Sequence, residues 1–297
     1  MIASLVDRVV RSQRWLDPTG AFIQKIVGGI YKPLGEPGQR LKSFLHGTWL
    51  GHALHPVLTD VPLGAWTVAI IADLVSYSGK LRPEVGDFCV LIGVLAAYGA
   101  VVTGYNDHHE TYGHELRMAT AHGLLMTLTT ALYTASLLLR WLGGGTSRDL
   151  AVVLAAVGYV VLISAAYLGG DLVFGIGVMV NRNAFIDGPE ENFVPVGRPQ
   201  DFGEGQMKKV DAAGMDVLVV RYGGQLHAIS NTCAHAGGPL DEGELDGTRV
   251  TCPWHASRYD LVSGQVVQGP STFSQPTLKV RESSDTVEVM LSRSLHE

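Results

Sequence analysis

Only three cysteines occur in 297 residues, Cys89, Cys233 and Cys252, and an odd count this small excludes a disulfide framework. Charge is scarce too: Asp, Glu, Lys and Arg make up 17% of the chain, against roughly 25% in an ordinary soluble domain. A basic excess is missing, since 22 Lys and Arg face 28 Asp and Glu, so nothing here would neutralise a nucleic-acid backbone. The imbalance is local. Residues 1–188 carry 13 acidic and 13 basic side chains, whereas residues 189–297 carry 15 and 9, an acidic surface that suits a basic protein partner. No short apolar run with a small-residue cleavage site follows the N-terminal charges, and no twin-arginine pair is present, so a signal peptide is not expected. The length predicts two domains.

What the chain has is long apolar runs, about 60–78, 86–105, 119–142 and 150–172, each near the ~20 residues that cross a bilayer as helix. Four transmembrane helices are predicted, with Pro62 in the first turn of the first. Before them, Leu5, Val9, Val10 and Trp15 fall near one helical face, with Asp7, Arg8, Arg11 and Arg14 on another, the pattern of an interfacial amphipathic helix. The predicted organisation is an amphipathic N-terminal segment over 1–58, a four-helix transmembrane domain over 59–180, a linker over 181–191 and a further domain over 192–292.

An even number of spans puts both terminal segments on one side. Arg8, Arg11, Arg14, Lys25, Lys32, Arg40 and Lys42 precede the first span, and Arg117 and Arg182 lie on the same side. Lys80, Arg82, Arg140 and Arg148 lie opposite. The bias makes the terminal side cytoplasmic. Within the first span Asp73 is a carboxyl at membrane depth, a functional candidate or a group bonded between helices. Cys89 reads as a small buried hydrophobe.

After Val180 the texture changes to short alternating runs broken by turns, with Gly223 and Gly224 set as a hairpin turn, the pattern of a small antiparallel β domain. Two loops carry its chemistry: Cys233-Ala234-His235-Ala236-Gly237-Gly238 and Cys252-Pro253-Trp254-His255. Two thiolates and two imidazoles could hold tetrahedral zinc, but zinc fingers pair like with like, as C-x2-C and H-x3-H. The mixed C-x-H and C-x2-H loops resemble the Rieske family instead. That resemblance implies a 2Fe-2S cluster with the cysteines on one iron and the histidines on the other.

It covers about 192–292. Gly269-Pro270, followed by Pro276, stands where Rieske domains place the proline loop over the cluster. Respiratory members carry an additional disulfide at positions that correspond to Gly238 and Trp254, so this domain is similar to the ferredoxin-like branch. Ser257 and Tyr259 match the serine and tyrosine that in respiratory members donate to a cluster sulfide and a cysteine sulfur, here Cys233. Such donors favour the reduced, more negative cluster and raise its potential. Ala256 departs from the usual glycine. His227 reads as an ordinary strand residue.

Seven more histidines, His46, His52, His55, His108, His109, His114 and His122, all fall at the terminal-side ends of the predicted spans. Singly each reads as an interfacial anchor; together they could ligate haem iron or another metal, with His55 and His122 the preferred axial pair. Thr48-Trp49-Leu50-Gly51-His52-Ala53-Leu54-His55-Pro56 and Gly169-Gly170-Asp171-Leu172-Val173-Phe174 resemble an uncharacterised bacterial four-span membrane family with a G-H-x-x-H-P signature. That resemblance names an architecture without an activity.

The expected fold is therefore an α-helical membrane bundle plus a small all-β Rieske domain in a bacterial inner membrane, the β domain cytoplasmic. The expected function is one-electron transfer between a redox protein partner and a membrane cofactor or quinone. The alternatives are an electron-supplying component of a membrane oxygenase, or a redox sensor. No soluble stretch is long enough for a catalytic oxygenase domain, and the histidine boxes of membrane desaturases are incomplete.

Overall fold

The computed structural model of the chain describes residues 2–143 and 145–292. It divides into two compact units, Met1–Gly38 with Ala53–Val178, and Gln39–His52 with Met179–Glu297.

In the first unit, α1 (Ile2–Ser12) and α2 (Leu16–Tyr31) precede four long helices, α4 (Leu54–Ser76), α5 (Pro83–His108), α6 (Gly113–Leu142) and α7 (Gly145–Gly170); α3 (Gly35–His46) straddles the division. The chain continues from α7 as a π-helical turn, Asp171–Ile176, so the last apolar helical stretch is Ser147–Ile176. All four long helices have the length and hydropathy to cross a membrane. Each begins before its predicted apolar run, because polar residues at helix ends still form backbone hydrogen bonds. Pro62 consequently lies inside α4 and not in its first turn. Alanine and glycine let the helices pack closely around Trp66, Val90, Val94, Tyr133, Ala155 and Leu162, with the half-buried Cys89 against them. Leu74, Phe88, Leu95 and Val160 point outward, the inverse of a soluble bundle.

Of the apolar face expected on the N-terminal segment, Val10 is buried while Val9 and Trp15 are exposed. Val10 and Leu16 pack against Met118, Ala119, Leu168 and Leu172, while Phe22, Ile26 and Ile30, spaced by four on α2, form an exposed apolar stripe. Asp17 bonds the Arg117 guanidinium, which holds its carboxyl below the usual range.

In the second unit, six strands make an antiparallel sheet: β1 (Val194–Gly197), β2 (Met207–Ala212), β3 (Met215–Tyr222), β4 (Gln225–Ser230), β9 (Thr277–Glu282) and β10 (Val287–Leu291). Their order is β1-β10-β9-β4-β3-β2. A smaller sheet, in sequence order, holds β5 (Glu244–Asp246), β6 (Arg249–Thr251), β7 (Arg258–Asp260) and β8 (Val266–Gln268). Gly223 and Gly224 turn β3 into β4 with φ of 61° and 79°, the left-handed pair that a two-residue hairpin requires. His227 pairs with Val220 in that hairpin. The segment after Val180 packs on the domain: Arg182 N donates to Ala234 O at 3.0 Å, and Asn183 Nδ2 donates to Thr232 O at 3.0 Å.

Candidate metal centre

Two loops at one end of the β unit share a backbone frame. In the loop after β4, Cys233 N donates to Gly238 O at 2.9 Å and Gly237 N donates to Cys233 O at 2.8 Å. In the loop between β6 and β7, Cys252 N donates to Ser257 O at 2.8 Å and Ala256 N donates to Cys252 O at 3.1 Å. The frame demands a left-handed residue four positions after each cysteine. Gly237 meets it at φ 84° without cost, and Ala256 meets it at φ 58° against its Cβ. Ala256→Gly is accordingly expected to stabilise the domain by about 1 kcal/mol, read as a higher unfolding midpoint of the full chain.

These frames aim four donors at one place. Cys233 and Cys252 are buried in one cluster with Tyr259, Val250 and Leu261, and the rings of His235 and His255 meet edge to face with centroids 4.8 Å apart. Each sulfur also faces two backbone N–H groups, those of His235 and Ala236 for Cys233 and those of Trp254 and His255 for Cys252. The thiols lie in hydrogen-bond contact. That contact, reinforced by Tyr259 and opposed by burial, lowers Cys233 to about 7, while the same neighbour and burial push Cys252 up. Two buried thiols in contact, each facing backbone N–H donors that favour a thiolate, are a ready ligand pair for a cation.

The outer contacts are equally specific. Tyr259 Oη lies 3.1 Å from Cys233 Sγ, and burial raises its pKa well above that of a free phenol, so it stays a donor. Ser257 Oγ accepts Ser271 N–H at 3.0 Å, which leaves its own hydrogen to donate. A Cβ on Gly238 would stand 3.0 Å from both Cys252 Sγ and the Trp254 ring; the two loops touch there without a disulfide.

One contact had no signal in the sequence. The segment Gln39–His52 belongs to this unit, and it braces the loop between β8 and β9: Gly269 N donates to Ser43 Oγ at 3.1 Å and Thr48 Oγ1 donates to Ser271 O at 3.3 Å. A Cβ on Gly269 would stand 3.0 Å from Thr48 Oγ1 and 3.4 Å from the ring of His46, which has no exposed surface. Pro270 lines a small recess with His235, Met179 and Phe273.

Family models match the sequence over residues 192–279, as the Rieske [2Fe-2S] domain, and over residues 51–182, as the predicted membrane protein family DUF2231. The ferredoxin CarAc of Metapseudomonas resinovorans is 34% identical over 73 residues, 24% of this chain and 68% of that protein. The chain belongs to the Rieske family. Its Rieske domain is also 27% identical over 91 residues to the ferredoxin component of the naphthalene 1,2-dioxygenase/salicylate 5-hydroxylase systems of a Ralstonia species, 31% of this chain and 88% of that protein. Human apoptosis-inducing factor 3 is 33% identical over 94 residues, 32% of this chain, and the matched part spans only 16% of that protein's length. The matched domain is a Rieske [2Fe-2S] domain, and the ferredoxin it resembles is a component of oxygenase systems.

The remaining histidines scatter. His52 falls in the same unit as the Rieske domain. His108 Nε2 lies 2.9 Å from Thr120 Oγ1, His109 Nδ1 2.8 Å from Glu110, and His114 Nε2 2.9 Å from Asp7. The rings of His55 and His122 lie with centroids 6.2 Å apart. Asp73 is no lone carboxyl: it lies three residues from the far end of α4, paired with Arg140 and, at 3.4 Å, with Arg148.

Proposed function

We propose that this chain is a membrane-anchored electron carrier in which Cys233 and Cys252 hold one iron of the cluster and His235 and His255 the other. The observation that carries the assignment is the repeated backbone frame, which sets two thiols in one buried cluster and two imidazoles edge to face, one of each from each loop. When bound, the cluster supplies one-electron transfer and has no open position for a substrate.

The protein's own groups set its poise. Tyr259, donating to Cys233, and Ser257, with a hydroxyl hydrogen beside the covering loop, stabilise added negative charge. Tyr259→Phe with Ser257→Ala is expected to lower the midpoint potential by on the order of 50 mV or more, taking ~1 kcal/mol per charge-assisted bond and ~59 mV per tenfold change in a one-electron constant. A redox titration followed by EPR measures it; an unchanged midpoint removes these two roles.

The four apolar helices, with outward-facing leucine, phenylalanine and valine, support anchoring in a bilayer. The excess of arginine and lysine before α4 supports a cytoplasmic Rieske domain. A reporter that is active only in the periplasm, fused after residue 297, is then expected to be silent, and strong activity would reverse the orientation. The acidic C-terminal part supports a basic redox protein as one partner, with a quinone as the membrane-side acceptor. Kinship with ferredoxin components favours the second reading, supply of electrons to an oxygenase. Stopped-flow oxidation of the reduced full-length protein by a short-chain quinone separates the two: rapid oxidation supports the first, and its absence favours the second.

A further inference from the structure

The contacts of the membrane unit repeat with a pseudo-twofold pattern. In α4, His55, Trp66 and Asp73 each stand 67 residues before a counterpart in α6, His122, Tyr133 and Arg140, and each meets that counterpart. In α5, Gly93, Ala100 and Gly104 stand 65 residues before Gly158, Ala165 and Gly169 of α7, and each counterpart plays the same part. Gly93 gives way to the Trp66 indole and Gly158 to the Tyr133 ring, which stack at 3.9 Å. Residues that touch their own counterpart lie on the symmetry axis. Because α4 and α6 run in the same direction and three such pairs occur at successive heights, the axis runs along the bundle.

At the upper end of that axis the symmetry builds a site. His55 Nδ1 lies 2.9 Å from Ala100 O, and His122 Nδ1 lies 2.8 Å from Ala165 O. A carbonyl oxygen can only accept, so both Nδ1 atoms carry the hydrogen and both Nε2 atoms are left as lone-pair donors. This is the tautomer of a metal-bound histidine, fixed by a backbone carbonyl on its other nitrogen. Thr103 Oγ1, 3.5 Å from His55 Nδ1, directs its own hydrogen to Gly99 O or Ala100 O and leaves the tautomer unchanged. The rings occupy room that only glycine allows: a Cβ at Gly104 would stand 2.8 Å from the His55 ring, and one at Gly169 would stand 2.9 Å from the His122 ring.

The spacing decides what would lie between them. The ring centroids are 6.2 Å apart with planes at 85°. Two imidazoles bound through nitrogen to opposite sides of one ion need about 2.0 Å for each metal–nitrogen bond and about 1.1 Å from each nitrogen to its ring centre, close to that value. Two trans ligands leave the equatorial plane of an octahedral ion open, and the described residues bring no third His, Cys, Asp or Glu to this pair. The remaining four donors must therefore come with the metal, as they do in a metal tetrapyrrole.

We infer that His55 and His122 are the axial ligands of a haem held on the pseudo-twofold axis of the membrane unit, one imidazole from each helical hairpin. The inference stands apart from the Rieske assignment, since it uses none of the same residues.

The test uses the full-length protein purified in detergent, with the EPR signal of the reduced Rieske cluster as its internal control. The protein is expected to carry about one haem per chain. Its ferrous form should show the sharp split bands of a low-spin bis-imidazole haem. Its ferric form should show the strongly anisotropic low-spin EPR signal of imidazole planes set near a right angle. Protein produced without haem should acquire the same spectrum on titration with hemin. His55→Ala and His122→Ala are each expected to abolish this low-spin spectrum while the Rieske signal persists, and His122→Met should retain a six-coordinate haem at a raised potential. Gly104→Val, which drives a side chain into the His55 ring, should weaken hemin binding at least tenfold. The proposal is overturned if cluster-replete protein neither contains haem nor binds hemin, if copper or another metal occupies the pair without a Soret band, or if the low-spin spectrum survives both alanine variants.

Discussion

Alanine in place of Cys252 is expected to abolish the EPR signal of the reduced cluster, and Cys233→Ala, His235→Ala and His255→Ala are expected to do the same. The loss should be complete, because the four donors come from two loops and neither loop has a spare ligand aimed at the group: the other cysteine, Cys89, lies in the membrane unit, packed against the helix core. Iron and acid-labile sulfide measured on the same samples should fall with the signal. Retention of a normal Rieske signal in Cys252→Ala would remove that residue from the ligand set, and with it the two-loop assignment. His227→Ala, in the β3–β4 hairpin, should leave the spectrum unchanged.

The second large effect is expected in the membrane unit, near the C-terminal end of α4. Arg140, with no exposed side-chain surface, binds Asp73, which is 1% exposed, and Asp87 at 2.7 Å; Arg148 reaches both carboxylates, at 3.4 and 3.1 Å. Arg140→Met deletes one charge of four and leaves two carboxylates sharing a single, partly exposed guanidinium. Breaking a buried pair in this way costs about 3–5 kcal/mol. Arg140→Met with Asp73→Leu keeps the charges balanced as Asp87 with Arg148, and should recover most of that loss. Thermal unfolding of the detergent-solubilised chain, scored by loss of the monodisperse species, measures both. A double variant no more stable than the single would mean that the network acts through shape and not charge balance.

The pair also shows why Asp73 could be read only halfway from the sequence. A carboxylate in an apolar run must be neutralised, and that much composition states. Its partner is 67 residues away on another helix. Nothing in local spacing links the two; only the pseudo-twofold pattern of contacts between the hairpins does, and the paired residues differ in identity, Asp against Arg and Trp against Tyr, so the repeat is visible as contacts before it is visible as letters.

What the sequence determined by itself follows from short-range physics. Apolar runs near bilayer length give four long helices whatever surrounds them. Alternation and a Gly-Gly turn give a β hairpin. Ligand chemistry restricted to cysteine and histidine in two tight loops gives the candidate centre, since the proposed donors within each loop are at most three residues apart. The tertiary structure alone decided everything that joins distant segments. It placed Gln39–His52 in the unit that holds the Rieske domain, with Ser43, His46 and Thr48 against the covering loop. It separated His55 and His122 from the other histidines and set their rings 6.2 Å apart at near right angles. Periodicity reports which face of a helix is apolar, but the rotation of one helix against the next is set by close packing at glycines such as Gly93, Gly104, Gly158 and Gly169. That rotation is a property of the whole bundle, and it is what turns scattered histidines into one pair.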